Sequence, residues 1–374
     1  MVVMRARDAA EEHRAATPLE LFFDLCFVVA VSLAAAQLHH ALTEQHVGAG
    51  LLGYLMVFFA IWWAWMNFTW FASAYDTDDA MYRVTTLVQM AGALVLAAGV
   101  PSAADHQDYL VITLGYVIMR LAMVAQWLRA GAADADRRFT ARRYAAGISV
   151  VQIGWLLRLL LPPAWGLAVF FVLMIAEVAV PAWAERSVQT TWHPGHIAER
   201  YGCFTLIVLG EVVLGSTGAL REAAEEGGHL GGLLSLALAG VVIVFAMWWL
   251  YFDRPAEDLL TSLSMSLRWG YGHYLVFASI AAVGAGLEVS VDVVTGHSRL
   301  PAVAAGWTVA VPVAVFLLVV WLLHVRPRHE SGWLAWLFPL VAVLILATPF
   351  THAAVYLTAV LLAALVTAKV LPRR

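Results

Sequence analysis

Charged residues are scarce in this chain of 374 residues, in which aspartate, glutamate, lysine and arginine together make up 13%. Ordinary soluble domains carry about a quarter charged residues and close to half apolar residues. Here 62% of the residues are hydrophobic, which is more apolar surface than one water-soluble core of this size can bury. The composition therefore excludes an ordinary soluble domain and favours a protein whose solvent is the lipid bilayer.

Cysteine is rare and a cleavable signal segment is lacking. The chain has 2 cysteines, Cys26 and Cys203, and both lie in apolar runs, so the sequence indicates no disulfide framework. Residues 1–17 are polar and of mixed charge, with no apolar stretch of their own, which argues against a signal peptide. We therefore expect the first apolar run, from Leu19 to about Leu42, to stay in the membrane.

Motifs for cofactors and nucleotides are missing as well. The sequence shows no Walker, Rossmann or nucleophile-elbow pattern. His193 and His196 are spaced i, i+3 across a turn, but no cysteine or carboxylate completes a zinc set. His39 and His40 are expected to form a wet interfacial pair rather than a metal site. The sequence therefore predicts no cofactor, no metal and no nucleic-acid partner.

Long apolar runs dominate the chain. A helix needs about 20 apolar residues to cross the hydrocarbon core, and runs such as 51–65 lack the alternation of a membrane β-barrel. We predict an all-α, polytopic transmembrane helical bundle with about twelve spans, or ten if the connections marked by Pro162-Pro163 and Pro349 are misplaced. The predicted spans are 19–41, 51–73, 82–101, 108–129, 143–161, 164–184, 200–220, 233–253, 269–288, 303–324, 332–349 and 352–371.

Arginine and lysine are distributed unevenly between the loops. With the N-terminus inside, 18 of the 22 basic residues fall on inner segments, and only Arg221 and Arg299 fall on outer loops. Cytoplasmic loops carry such an excess. The pattern predicts a multi-pass protein of the cytoplasmic membrane with both termini in the cytoplasm. The arginine-rich inner loop at 129–143 is expected to contact anionic lipid.

Landmarks of the first half of the chain return in the second half. Leu19–Ala36 and Ala198–Gly215 each carry glutamate in second place, followed by aromatic residues and an apolar run. Ile61–Trp65 has a counterpart at Met247–Tyr251. Because six spans is an even number, we predict two tandem six-helix repeats in parallel orientation. The predicted organisation is a cytoplasmic tail at 1–17, a first repeat at 18–185, a cytoplasmic linker at 186–198 and a second repeat at 199–374.

Several charged residues lie within or beside the predicted spans, where a charge costs about 2.5 kcal/mol or more. Glu20 and Asp24 are four residues apart and share a helical face, while Glu211 is midway along the seventh span. The predicted lining of a cation or proton pathway is Glu20, Asp24, Glu199, Arg200 and Glu211. The predicted charge partners are Arg120, Arg158 and Glu177, with Arg120 or Arg158 paired to an acid. The alternative is a set of buried ion pairs that fix helix packing, which is favoured for Arg158 and Glu177.

Two motifs resemble those of a known family. Pro18–Val28 resembles the signature of the bacterial low temperature requirement A (LtrA) family, as does Glu199–Gly202 followed by Ile207–Glu211. The resemblance covers essentially the whole chain. It implies an integral membrane protein, and a transporter has been suggested for the family.

A fainter resemblance concerns the first helix alone. Phe22–Ala30 is similar to the Phe-Ser-Asp motif of the potassium-channel family of endolysosomes, which is also built from six-helix repeats. In this chain Phe23 replaces the serine, and Cys203 stands where the second repeat of those channels has aspartate. The resemblance implies that the first helix of each repeat lines a pore.

These observations give a leading hypothesis and two alternatives. The leading hypothesis is an LtrA-like transporter or channel for a cation or small solute, which uses the charged residues of spans 1 and 7. One alternative is an intramembrane enzyme acting on a lipid or isoprenoid-like substrate, which needs acids grouped with histidine near one interface. The other is a non-transporting membrane scaffold or stress-response protein. Small-residue clusters such as Gly284–Gly286 allow close helix contact, either within the chain or between the two chains of a homodimer.

Overall fold

Helices account for the regular structure of the chain. The computed structural model describes residues 3–8, 11, 14–225, 230–328 and 336–371, and within these ranges it contains no β-strand. The α-helices of the described chain are α1 Pro18–Thr43, α2 Val47–Tyr75, α3 Ala80–His106, α4 Leu110–Ala133, α5 Arg138–Arg158, α6 Pro163–Ala184, α7 Pro194–Glu225, α8 Leu230–Tyr251, α9 Leu263–Thr295, α10 Ala302–Val320, α11 Leu337–Ala347 and α12 Ala354–Val370. Each predicted span overlaps one helix, which confirms the all-α class. Residues 332–335 of the eleventh predicted span lie outside the described residues. So do residues 1–2, 9–10 and 12–13 of the predicted N-terminal tail and residues 372–374 at the end of the predicted second repeat.

Eight helices of the described chain are long and apolar enough to cross a membrane: α1, α2, α3, α4, α6, α8, α9 and α10. The apolar helices α11 and α12 are shorter. Helix α5 is more polar because it carries four arginines. The chain is therefore a multi-pass membrane protein, and the crossing of the membrane by the other four helices stays a prediction.

Local sequence sets several helix ends. Pro18 opens α1, a position where proline is favoured because the first turn of a helix leaves its N–H groups unpaired. The Asp79 carboxylate caps α3 by accepting the backbone N–H of Tyr82 at 2.9 Å. Gly296 ends α9 with a φ of 82°, a left-handed conformation that glycine adopts without strain.

The two connections marked by Pro162-Pro163 and Pro349 are short. Helix α5 ends at Arg158 and α6 begins at Pro163. Helix α11 continues into a 3₁₀ turn at Thr348–Thr351, which contains Pro349, and α12 begins at Ala354. The described chain thus has separate helices on both sides of each connection, while the number of membrane spans, twelve or ten, stays a prediction.

Contacts between residues divide the chain into two compact units, of which the first comprises Met1–Leu33 and Phe59–Arg200. In this unit α3 and α4 approach closely, since a Cβ added to Gly115 would lie 2.3 Å from the backbone nitrogen of Leu96. Only a residue without a side chain fits such a contact. This unit also contains the buried charges of α1, α4 and α6.

The second unit comprises Ala34–Phe58 and Tyr201–Arg374. Its helix α9 is the most buried of the eight long helices. Gly286 of α9 lies against the backbone of α10, where an added Cβ would be 2.3 Å from the carbonyl oxygen of Thr308. The predicted repeats at 18–185 and 199–374 stay a prediction, because a grouping by contact does not test internal symmetry.

Candidate functional site

The start of α1 is held by its own sequence. The backbone N–H and the hydroxyl of Thr17 donate to Glu20 Oε2 at 2.8 and 3.0 Å. In return the Glu20 N–H donates to the Thr17 hydroxyl at 3.3 Å. This reciprocal capping box orients the Glu20 side chain, and Asp24 follows one turn later on the same helical face.

Two basic side chains of α7 contact these two acids. Arg200 Nη2 donates to Asp24 Oδ1 at 2.5 Å, and Arg200 Nη1 lies 3.5 Å from Glu20 Oε1. His196 Nε2 lies 3.0 Å from the same Glu20 oxygen. All four side chains are at most 1% exposed. We call Glu20, Asp24, His196 and Arg200 the acid–base cluster.

A tryptophan of α2 completes the surroundings of Asp24. Trp65 is fully buried, and its indole N–H donates to Asp24 Oδ1 at 2.7 Å. The other carboxylate oxygen, Oδ2, makes no hydrogen bond with any described residue. Both ring nitrogens of His196 also lack an aligned hydrogen bond within the described chain. Since buried polar atoms are normally satisfied, the cluster has unused capacity for a proton or a small ligand.

The direct contacts of the acid–base cluster are unbalanced in charge. Two carboxylates face a single guanidinium group, and an imidazole is charged only after it binds a proton. Arg14, a second buried guanidinium, donates instead to the carbonyl oxygens of Ser73 and Ala72 near the end of α2. An uncompensated buried charge costs several kcal/mol. The cluster is therefore neutral only when it holds one further positive charge.

Titratable groups just outside the helices lie close to this end of α1. Asp76 follows α2 and lies 3.6 Å from Arg7. Burial raises the pKa of the Asp76 carboxyl, and the nearby charge of Glu20 raises it further. Burial lowers the pKa of Arg14, while the hydrogen bond from Arg7 lowers the pKa of the Glu11 carboxyl. The rim of this unit thus carries closely spaced charges that are partly shielded from water.

Glu177 of α6 is the centre of a second buried network in the same unit. Its Oε1 accepts hydrogen bonds from Tyr116, Gln152 and Trp155 at 2.9, 2.9 and 3.3 Å, and its Oε2 accepts from Trp63 and Arg120 at 2.9 and 2.7 Å. The donors belong to α2, α4 and α5, so one carboxylate joins four helices. Because both oxygens are saturated, this geometry suits a packing element better than a ligand site.

Arg158 differs from Arg120, because no carboxylate of the described chain lies within ion-pair distance of it. Its Nε donates to the Gly166 carbonyl at 3.0 Å. The guanidinium carbon lies 4.6 Å from the ring centroid of Tyr109 and 5.7 Å from that of Phe170. Such cation–π contacts anchor the end of α5 to its neighbours. Of the two arginines expected to pair with an acid, Arg120 does so.

The remaining predicted lining residues have other surroundings. Glu199 accepts the backbone N–H of Ala16 at 3.1 Å. Glu211 belongs to the second unit, where its side chain is half-buried and has no hydrogen-bond or ion-pair partner among the described residues. The structure thus brings together Glu20, Asp24 and Arg200 of the five predicted residues. His196, which completes their cluster, was considered in the sequence only as a metal ligand, although its i, i+4 spacing to Arg200 marks a shared face.

A histidine–aromatic cluster in the second unit is absent from the sequence-based prediction. His273 Nδ1 donates to the Trp269 carbonyl at 2.8 Å, which leaves Nε2 to accept the Tyr251 hydroxyl at 2.9 Å. The ring of His324 lies 4.9 Å from that of Tyr251, and its nitrogens make no hydrogen bond within the described chain. Isolated histidines in apolar runs were the only sequence signal for this cluster.

His39 occupies the other end of the second unit. Its Nε2 lies 2.7 Å from Asp292 Oδ2, and its Nδ1 lies 3.6 Å from Glu288 Oε2. These side chains are about one quarter exposed, so the pair has access to water. Within the described ranges, no group of three or more histidine, cysteine, aspartate or glutamate residues is arranged to hold a metal ion.

Comparison with known proteins gives a family and one curated relative. A family model described as "Bacterial low temperature requirement A protein (LtrA)" matches residues 15–371. An uncharacterized protein of Rhizobium meliloti (strain 1021) is 25% identical over 302 residues, which cover 76% of this chain and 71% of that protein. The match to the family model includes the acid–base cluster and Glu177.

Proposed function

Because the chain belongs to the bacterial low temperature requirement A (LtrA) family, we propose that it is a membrane transporter for a cation or small solute, with the acid–base cluster as its proton-binding site. The eight long apolar helices support the membrane part of this proposal. The proposal places the chain in the cytoplasmic membrane with both termini in the cytoplasm, which the excess of arginine on the inner segments supports.

The charge imbalance of the acid–base cluster carries the proposal. Glu20 and Asp24 are fully buried and share one guanidinium partner. A purely structural ion pair needs one base for each acid, since an unpaired buried charge is strongly unfavourable. The missing positive charge is a proton on the cluster or a small cation beside Asp24 Oδ2. Ionisable residues in such positions are typical of proton relays and ion pathways.

The acids and the bases of the cluster also come from different helices. Glu20 and Asp24 belong to α1, whereas His196 and Arg200 belong to the start of α7. Protonation of the cluster weakens the attraction between these two helices, because it removes one of the two negative charges. Gain and loss of a proton therefore provide a physical means of changing helix contacts during transport.

Flux through the purified protein tests the proposal. The full chain is reconstituted in liposomes, and potassium, sodium and proton fluxes are measured under separate gradients and at several pH values. We expect a flux that varies with pH for wild type. In Asp24→Asn the cluster is neutral without a proton, so the flux should be lost or become independent of pH.

A second buried carboxylate provides the matched control. Glu177→Gln makes the same chemical change at a carboxylate whose oxygens are fully hydrogen-bonded. This variant should lower stability while the folded fraction keeps the pH dependence of wild type. Glu211→Gln tests the predicted role of the half-buried acid on α7 in the same assay. The absence of any ion flux in wild type, or equal effects of Asp24→Asn and Glu177→Gln, would refute the proposed proton site.

One observation favours a second candidate function. The structure places His196 beside Glu20, and a histidine grouped with acids near one interface is what an intramembrane enzyme for lipid or isoprenoid-like substrates needs. Transport is favoured because all four side chains of the cluster are closed off from any substrate. If the protein is an enzyme, wild type should convert a copurifying lipid and should support no ion flux. The variant His196→Gln should lose the turnover of that lipid.

A further inference from the structure

Arginines are concentrated where α5 begins and where α6 ends. The first two turns of helix α5 contain Arg138, Arg142 and Arg143, and Arg186 lies two residues after the end of α6. Two contacts hold these segments together: Thr140 Oγ1 donates to the Val188 carbonyl, and Arg143 Nη1 donates to Ser187 Oγ, at 2.7 and 2.8 Å. The segment after α6 therefore lies directly against the first turns of α5.

Acids near these arginines are largely engaged elsewhere. Asp134 forms an ion pair with Arg137 at 3.3 Å. The Glu185 carboxylate accepts hydrogen bonds from Tyr144 and Thr190. Asp136 is exposed, but it is a single charge. The surface formed by Arg142, Arg143 and Arg186, which we call the basic surface, thus keeps a net positive charge.

The basic surface lies at the N-terminal end of an exposed apolar stripe on α5. Arg142 is exposed and has no hydrogen-bond or ion-pair partner among the described residues. Val150, Ile153 and Leu157 follow at positions 8, 11 and 15 beyond it, which is the spacing of one helical face. All three are exposed, at 67%, 57% and 56%. A stripe this apolar faces lipid chains rather than water, so Arg142 lies where the chains meet the headgroups.

Aromatic rings flank the second arginine of this surface. The Arg143 guanidinium carbon lies 4.2 Å from the ring centroid of Phe139 and 5.6 Å from that of Trp183. Phe139 is 60% and Trp183 is 39% exposed. Tryptophan is enriched at the level of the headgroups, and Arg143 uses only one N–H for Ser187 within the described chain. The remaining N–H groups are available to phosphate oxygens, which match guanidinium geometry.

We propose that the basic surface binds the phosphate of an anionic phospholipid whose acyl chains lie along the exposed stripe of α5. Charge selects an anionic headgroup, and the adjoining apolar stripe selects a lipid over a free phosphate ion. This inference is independent of the proposed transport activity, because none of its residues belongs to the acid–base cluster.

Native mass spectrometry of the full-length protein with phosphatidylglycerol and phosphatidylcholine of the same chain length tests the proposal. Wild type should bind phosphatidylglycerol preferentially. Arg142→Gln/Arg143→Gln should weaken that binding about 30-fold, the effect of two arginines at an anionic surface. The matched control is Arg268→Gln/Arg326→Gln, which likewise removes two arginines; both are exposed, and the Arg326 guanidinium carbon lies 5.9 Å from the ring centroid of Trp321. The control should keep wild-type affinity.

Further arms of the experiment keep its outcomes separate. If the double variant does not fold, the single variant Arg142→Gln replaces an exposed side chain and should weaken binding about fivefold. Soluble glycerol phosphate at the same concentration should not compete with the lipid. Equal losses in both double variants, no preference for phosphatidylglycerol, or full competition by glycerol phosphate would each overturn the proposal.

Discussion

The variant Glu177→Gln replaces one oxygen of a carboxylate that accepts five hydrogen bonds by an NH₂ group. In wild type every polar contact of the carboxylate is a donor that points at it. The amide nitrogen of glutamine is itself a donor. Whichever way the amide is oriented, its NH₂ group therefore faces at least two donors, and Arg120 loses its negative partner.

The cost follows from the loss of the ion pair and of the hydrogen bonds that come with it. Removing one member of a buried ion pair costs about 3–5 kcal/mol. Hydrogen bonds within membrane proteins contribute about 0.6 kcal/mol each on average, so the two or three donors that face the NH₂ group account for about 1–2 kcal/mol of this loss. We therefore expect Glu177→Gln to lower the free energy of unfolding by about 3 kcal/mol.

Equilibrium unfolding in a mixed detergent series, followed by tryptophan fluorescence, measures this loss. Asp78→Asn is the matched control, because it makes the same change in an exposed ion pair with Arg83 and should leave stability unchanged. The double variant Glu177→Gln/Arg120→Gln should be less destabilised than the sum of the two single variants, since the charge of Arg120 is no longer left alone. A loss of under 1 kcal/mol in Glu177→Gln, or strict additivity in the double variant, would show that Glu177 does not fix these helices.

Two further predictions concern helix ends and helix contacts. The hydrogen bond from Arg129 lowers the pKa of Asp79, so the contribution of this carboxylate to stability is present above the ordinary aspartate pKa of about 3.9 and is lost as pH falls through the lowered value. The melting temperature of wild type should therefore fall more steeply below about pH 4 than that of Asp79→Asn. Parallel curves of melting temperature against pH would contradict this. Gly115→Ala should destabilise the packing of α3 against α4 by at least 1–3 kcal/mol, the usual cost of about one extra methyl group in a packed site. Gly210→Ala is the control, because an added Cβ there has open space, and it should cost nothing. Equal melting temperatures of the two variants would show that α3 and α4 are less close than the structure indicates.

The helices could be predicted because the bilayer imposes a simple rule on sequence. Runs of apolar residues, with proline and polar residues between them, locate helices such as α2 and α8 within a few residues. The same rule locates α5 at 143–161, but its four arginines make it too polar for a test of apolar length, so its crossing of the membrane stays a prediction. Those side chains are accommodated by stacking and by loop contacts, as for Arg143 and Arg158, which depend on residues far away in sequence.

The partners of buried charges could be predicted only in part. The spacing of Glu20 and Asp24 predicts a shared face, and the structure adds that this face meets Arg200. No local pattern indicates that Arg200 is the partner, since 176 positions separate it from Asp24. His196 could not be assigned to the cluster from sequence for a related reason: its neighbour in the chain is His193, whereas its neighbour in space is the Glu20 carboxylate of α1.

Asp24 and Glu177 show why burial alone does not separate function from packing. Both carboxylates are fully buried in the first unit. Glu177 receives five donors on its two oxygens, so a proton or a cation can approach only by displacing one of them. Asp24 receives two donors on one oxygen, and its other oxygen is free within the described chain. A proton can bind the free oxygen of Asp24 without displacing a hydrogen bond, whereas a proton on Glu177 must displace one of its donors. For this reason we propose ion coupling for Asp24 and helix packing for Glu177.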